Sequence, residues 1–283
     1  MLLELAGRHP LLRRDLVIRG TEPGRLVVDA RRLTFASPLD LTAAAAAVHA
    51  HAAQGRNISL LLPASADVTS YMQRMDMLKA LPADAHVEGA TPDQTRYDRS
   101  TTLLEVARLY ADTAEAIGAR VGQMAIRQLG SRDGRKVFEA VGELIDNATV
   151  HGASTRGAFI AAQAYSGKTT GYRRIEIAVC DTGIGVLAHL RSNPAHARIV
   201  TSAEALEHAL RPGVSGTQDE RGNGLPDLLT KPGRAAATRL VLRSGDGLLR
   251  ASRTRSGPVP PRSAGTFTPV PGTWSWLRVS YRS

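Results

Sequence analysis

The sequence predicts an α/β protein in two units, a small N-terminal one and a larger one. Two observations carry this reading. Within the first ninety residues, short apolar runs of strand type alternate with helix-forming runs, the pattern of a sheet covered by helices. Beyond residue 130, an amphipathic helix is followed by alternating strands and glycine-rich turns. A chain of 283 residues suffices for one or two domains with ordinary cores. Composition places the first domain at 1–88, a polar, proline-containing linker at 89–100 and the second domain at 101–283.

Each element has a local cause. Arg25-Leu-Val-Val-Asp29 reads as a strand. Leu41 to Gln54 is built mostly of alanine, the best helix former, and Gly55 stops it. Asn57 to Leu62 is a second strand closed by Pro63, and Val68 to Leu81 a second helix. Thr101 to Leu129 follows a helical period through Leu103, Leu104, Val106, Ala107, Tyr110, Ala114, Ile117, Val121 and Met124, with Gly118 marking a break. Packing into the second domain is the expected use of this segment; a dimerising helix, and so a homodimer, is the alternative.

A polar start at Ser131-Arg-Asp133 precedes a stripe of Val137, Phe138, Val141, Leu144, Ile145 and Ala148. Glu139, Glu143, Asp146 and Asn147 project from the other side, with Glu143 and Asn147 as i,i+4 neighbours. Gly157 to Tyr165 and Tyr172 to Val179 read as strands joined by a polar hairpin, and Arg174 to Cys180 delivers Asp181 at a strand end. Gly213 to Gly224 has the glycine content of a mobile lid, and Leu225 starts a helix. Leu248 to Pro271, rich in Arg, Ser and Pro, reads as an insertion before a last strand at Trp274 to Val279.

Composition narrows the class. Hydrophobic residues at 43% and charged residues at 22% describe a soluble globular chain. No apolar run approaches the roughly 20 residues of a membrane span. Met1 to Arg8 carries an acid and an arginine within its apolar start, unlike a secretory signal. The single cysteine, Cys180, excludes an internal disulfide framework, reads as a small core hydrophobe and fits a reducing cytoplasm. The net charge of +10 concentrates between Lys231 and Arg262. Such a run suits a solvated surface, an acidic partner or nucleic acid, but it lacks the interleaved aromatics of a base-stacking platform.

Three segments carry chemistry: Glu143-Leu-Ile-Asp146-Asn147-Ala-Thr-Val-His151-Gly152, Asp181-Thr-Gly183-Ile-Gly185 and Arg221-Gly222-Asn223-Gly224-Leu225. In this order they resemble the N, G1 and G2 boxes of the ATP-binding superfamily that unites gyrase, heat-shock chaperones, histidine kinases and mismatch-repair ATPases (GHKL). The resemblance implies an α/β two-layer sandwich for the second unit, with ATP and Mg²⁺ as ligands. Asn147 would offer an amide oxygen to Mg²⁺, a hard cation that prefers oxygen. Glu143 would be the general base beside the terminal phosphate, with Asp146 in support. His151 would sit near the phosphates or make a structural hydrogen bond.

Asp181 would accept a hydrogen bond from the adenine amine, a pairing that guanine's carbonyl oxygen cannot make. Gly183 and Gly185 would let the backbone approach the purine. Ser215, Gly216, Gly222 and Gly224 would bring lid backbone to the phosphates, Arg221 would clamp them, and the helix beginning at Leu225 would favour the anion. Thr273, in a Gly-Thr pair before the last strand, would support the adenine beside Asp181. Two other glycine patterns fit less well. Gly183-Ile-Gly185-Val-Leu-Ala188 loosely matches a dinucleotide motif, and Gly167-Lys168-Thr169 ends like a Walker A loop but has Ala162 where the first glycine belongs.

The first 85 residues resemble the STAS-like fold of anti-anti-sigma factors, through Val27-Val28-Asp29 and the run Ser37-Pro38-Leu39-Asp40-Leu41. The family's phosphate-accepting serine corresponds to Leu39, so the resemblance implies a docking or regulatory domain. The N box is closest to that of anti-sigma serine kinases. Histidine autokinase activity is disfavoured, because His9, His49, His51 and His86 are none of them followed by an acid. The function implied is an ATP-hydrolysing regulatory switch with a protein partner. The alternatives are a serine/threonine kinase acting in trans and a nucleotide-gated binding module without appreciable turnover.

Overall fold

The computed structural model describes residues 1–12, 17–19, 24–92, 98–151, 157–216 and 224–282. The first unit contains β1 (Leu2–Glu4), β2 (Gly7–Arg8), β3 (Val17–Arg19), β4 (Arg25–Asp29), β5 (Leu33–Phe35), α1 (Pro38–Ala52), β6 (Asn57–Leu61), α2 (Ala66–Arg74) and β7 (His86–Glu88). Its main sheet runs β3-β1-β4-β6-β7, parallel except at the β3 edge. The second unit contains β8 (Leu103–Leu109), α3 (Ala114–Leu129), α4 (Ser131–Asp146), β9 (Ala158–Tyr165), β10 (Tyr172–Asp181), α5 (Gly185–Arg191), α6 (Ser202–Ala209), α7 (Gly224–Thr230), β11 (Ala237–Thr254) and β12 (Gly257–Arg282). Its sheet, β11-β12-β10-β9-β8, is antiparallel throughout. The molecule is therefore mixed α/β, with one largely parallel and one antiparallel sheet. No helix among the described residues is long and apolar enough to cross a membrane.

The alanine run of α1 acquires its meaning here. Ala43 to Ala47 are all buried, because the helix lies against β9, β10 and β12 of the second sheet as well as its own. A helix apolar on every side is buried on every side, and side chains of one carbon let both layers come close. Leu39, Ala43 and Val48 share a core with Phe159, Ala178, Cys180, Trp274 and Trp276. Thr42 Oγ1 lies 3.3 Å from Cys180 Sγ, and His49 stacks on Phe159 with centroids 5.0 Å apart. The two units are thus packed as one body across α1. The other face of the second sheet carries Ile175, Ile177 and Val179 beneath α3, α4 and α7.

A polar knot fixes the start of α1. Ser37 and Asp40 form a reciprocal capping box. Asp40, fully buried, accepts hydrogen bonds from the Leu11 amide at 2.9 Å and from the Ser37 amide and hydroxyl, both at 2.7 Å. Arg243 is also buried, and its Nε donates to the Leu11 carbonyl at 3.2 Å. This arginine belongs to the basic run read from sequence as a surface feature, yet it holds the interior. Burial pushes the Asp40 carboxyl up to about 6, against hydrogen bonds and the Arg243 charge that favour its ionised form. Removing the carboxylate leaves the buried donors of Leu11 and Ser37 without their acceptor and takes a nearby anion from Arg243. Asp40→Ala should therefore cost about 3–5 kcal/mol, read as a lower urea midpoint at pH 7; a midpoint within error of wild type would show the knot to be dispensable.

Four expectations need correction. Residues 103–109 form strand β8, not the first half of a helix. A register shift between Leu104 and Ala107 interrupts alternation, so that Leu104 faces the core under α3 while Val106, two residues on, joins Leu103 in the α1 core. A strand covered on both faces reads as a continuous apolar run, which imitated a helical period; Gly118 then lies unbroken inside α3. Phe138 lies outside the apolar core of α4: it is 41% exposed, beside Gly122 of α3. The stretch 248–271 is not a loop insertion but the far part of the β11–β12 hairpin, with register shifts at Ser244/Gly245, Gly245/Gly247 and Arg250/Ser252. The helix expected to run to Leu81 ends at Arg74.

Candidate functional site

A cavity of about 400 Å³ opens at the end of β10, within the range of small-molecule sites. Its floor is apolar, formed by Leu144, Val179, Leu190 and Leu242. Glu143, Asp146 and Asn147 reach it from the end of α4, where the helix widens into a π-helical turn over Asn147–His151. Such turns recur at functional sites, because they bring successive side chains out of α-register. The stripe of Val137, Val141, Leu144 and Ile145 is buried, which leaves the acidic and amide positions for the cavity side.

Asp181 enters from the end of β10 and is 4% exposed. Burial pushes its carboxyl up to about 6, partly offset by hydrogen bonds from backbone groups, including those of Gly183 and Thr273. The Gly183 amide donates to Asp181 Oδ1 at 2.8 Å. Gly183 thus acts through its amide and does not line the cavity, whereas Gly185 does, with φ of 77°. Ser244 ties the region together: its hydroxyl accepts from the Val186 amide at 2.8 Å and donates to the Gly272 carbonyl at 3.0 Å. Gly272, at φ 65°, passes so close to Asp181 that a Cβ there would overlap the carboxylate.

Ser215, Gly216, Gly224, Leu225 and Thr273 complete the lining. The start of the lid is pinned by Ser192 Oγ on the Gly216 carbonyl at 3.1 Å and Asn193 Nδ2 on the Ser215 carbonyl at 3.1 Å. A Cβ at Gly224 would stand 2.6 Å from Glu143 Oε2, so a larger residue at the start of α7 would displace the carboxylate. Gly152, Arg221, Gly222 and Asn223 lie outside the described residues, as does the side chain of His151.

Sequence reasoning missed Lys231, Ser244 and His189. Lys231 Nζ donates to Glu143 Oε1 at 2.6 Å and lies 3.6 Å from Asp227 Oδ2. Its signal was present as the i,i+4 spacing of Asp227 and Lys231 on α7, but its reach to α4 was not. His189, on α5, lines the cavity and backs Gly216. The Walker-like Gly167-Lys168-Thr169 forms the turn between β9 and β10, at the strand end opposite Asp181. Nine residue steps along β10 separate those ends by about 30 Å.

Mg²⁺ is the metal to test against these residues. Asn147 Nδ2 is buried without a hydrogen-bond partner among the described residues, an unspent polar group facing an acidic cavity. Among the described residues no cluster of three or more His, Cys, Asp or Glu could cage a metal. Mg²⁺ keeps water and phosphate ligands and takes one or two oxygens from the protein, so the Asn147 amide would have to turn its oxygen to the ion. Comparison with known protein families and with curated proteins returns no match for this chain.

Proposed function

We propose that the cavity binds Mg-ATP and that the chain is a GHKL-type, nucleotide-controlled regulatory switch that hydrolyses ATP. The observation that carries this is the convergence of Glu143, Asn147, Asp181, Gly224 and Thr273, from four separate segments, on one cavity. Asp181 would receive the adenine amine, Thr273 would stand beside the ring, and the apolar floor would take the purine face. The start of α7 would meet the phosphates. Asn147 would hold the ion, which when bound neutralises phosphate charge. The family comparison to STAS proteins and anti-sigma kinases rests on sequence motifs. A kinase reading requires an acceptor in trans, since Leu39 is buried and has no hydroxyl.

One observation favours the second reading, a nucleotide-gated binding module. Glu143, the candidate base, is already engaged by Lys231, which suits slow basal turnover controlled by a partner.

The carboxyl of Asp181 supplies the test. Its charged form is the acceptor, and in the free protein it protonates near pH 6. A ligand that binds only the ionised form loses affinity as pH falls below that value, by up to about tenfold per unit. Calorimetry from pH 5 to 8 should show ATP affinity flat above pH 7 and falling through 6, with GTP weaker throughout. A flat profile with no preference for ATP would remove the adenine role of Asp181 and with it this reading of the cavity.

A further inference from the structure

A second cleft, of about 890 Å³, lies at the seam between the two units, at the far end of β10 from the first cavity. Ser70, Tyr71 and Arg74 of α2 form one wall; Tyr165, the turn 166–170 and Arg174 of the β9–β10 hairpin form the other. Arg99 and Thr102 close it before β8. Four cations, Arg74, Arg99, Lys168 and Arg174, line this cleft and, among the described residues, no carboxylate does.

The neighbouring acids do not neutralise it. Glu105 is shared between Arg74 at 2.7 Å and Arg120 at 3.3 Å, and Glu176 between Arg174 at 3.6 Å and Arg278 at 3.9 Å. Arg99 and Lys168 form no ion pair among the described residues, although Asp98 lies next to Arg99. Nε of Arg74 and Nε of Arg174 are buried without hydrogen-bond partners among the described residues. Arg174 is held over the Tyr165 ring at 4.0 Å, so its guanidinium is fixed before any ligand arrives. Gathering like charges around a hollow costs stability. Guanidinium groups that line a polar cleft are donors suited to phosphate oxygens. Hydroxyls of Thr102, Ser166 and Thr169 supply further polar lining.

We propose that this seam cleft binds a small diffusible polyanion carrying two or more phosphate groups, distinct from the ligand of the first cavity. One phosphate would leave several of the four cations unmatched; two or more balance them. Because its walls come from both units, an occupant ties α2 to the β9–β10 hairpin. Strand β10 then has a ligand at each end. This proposal stands on the cleft alone and does not depend on the ATP reading.

Inorganic pyrophosphate is the probe, titrated by calorimetry in EDTA so that no metal-dependent phosphate binding contributes. Wild type should bind it, with affinity falling as salt rises, and melt at higher temperature in its presence. The Arg99→Ala/Lys168→Ala double variant removes two exposed side chains and should bind at least tenfold more weakly while keeping the wild-type circular dichroism spectrum. The proposal is overturned if wild type does not bind, or if the double variant binds equally, which would place the pyrophosphate elsewhere.

Discussion

Asn147→Ala is expected to remove the Mg²⁺-dependent part of ATP binding, a loss of at least about 10–100-fold, because even residues that only orient a metal's ligands are worth that much. The argument rests on position and chemistry together. Asn147 stands at the first residue of the π-helical turn, lines the cavity, and has an amide nitrogen with no hydrogen-bond partner among the described residues. A half-turn about the terminal torsion exchanges that nitrogen for the oxygen, so the side chain can serve a cation without a backbone change. Truncation to alanine should be mild for the fold, since the residue belongs to a cavity wall and not to the core beneath it. The variant should bind ATP in EDTA as wild type does and gain nothing when Mg²⁺ is added. If calorimetry shows an undiminished gain with Mg²⁺, the ion is held elsewhere.

The site was largely legible because its signals are local. Glu143 and Asn147 are four residues apart on one helix, and Asp181 ends an alternating strand, so short-range periodicity suffices to aim them. That Thr273 lies beside Asp181 required the motif resemblance, since ninety residues separate them. What stayed hidden was long-range. Lys231 reaches Glu143 only because α7 packs on α4, and no spacing within either helix encodes that contact. The two-sided burial of β8 disguised a strand, since its apolar run no longer alternates. The alanine run of α1 announced a helix but not that two sheets would close on it. A helix with no polar face has no direction to give, and its partners are chosen by the rest of the fold. Likewise Arg243 reads as one more surface arginine until Asp40 and Leu11 are brought to it.

Glu143→Gln is expected to bind Mg-ATP nearly as wild type does and to release phosphate about 10²–10⁴-fold more slowly, the usual value of a positioned general base. Glutamine keeps the size and the hydrogen-bonding oxygen but cannot accept a proton. Lys231 sharpens the test. With Nζ 2.6 Å from Oε1, one carboxylate oxygen is already engaged and is not free to take a proton from water. Oε2 is the oxygen nearest the start of α7, the expected place of the phosphates. Lys231→Met should therefore raise basal phosphate release a few-fold, since both carboxylate oxygens are then free. The double variant Glu143→Gln/Lys231→Met should be as slow as Glu143→Gln alone, because the lysine then has no base to restrain. If Lys231→Met instead slows release, the ammonium assists the reaction itself and the restraint is wrong. If Glu143→Gln turns over normally, the proton goes to another acceptor and Glu143 has no part in the chemistry.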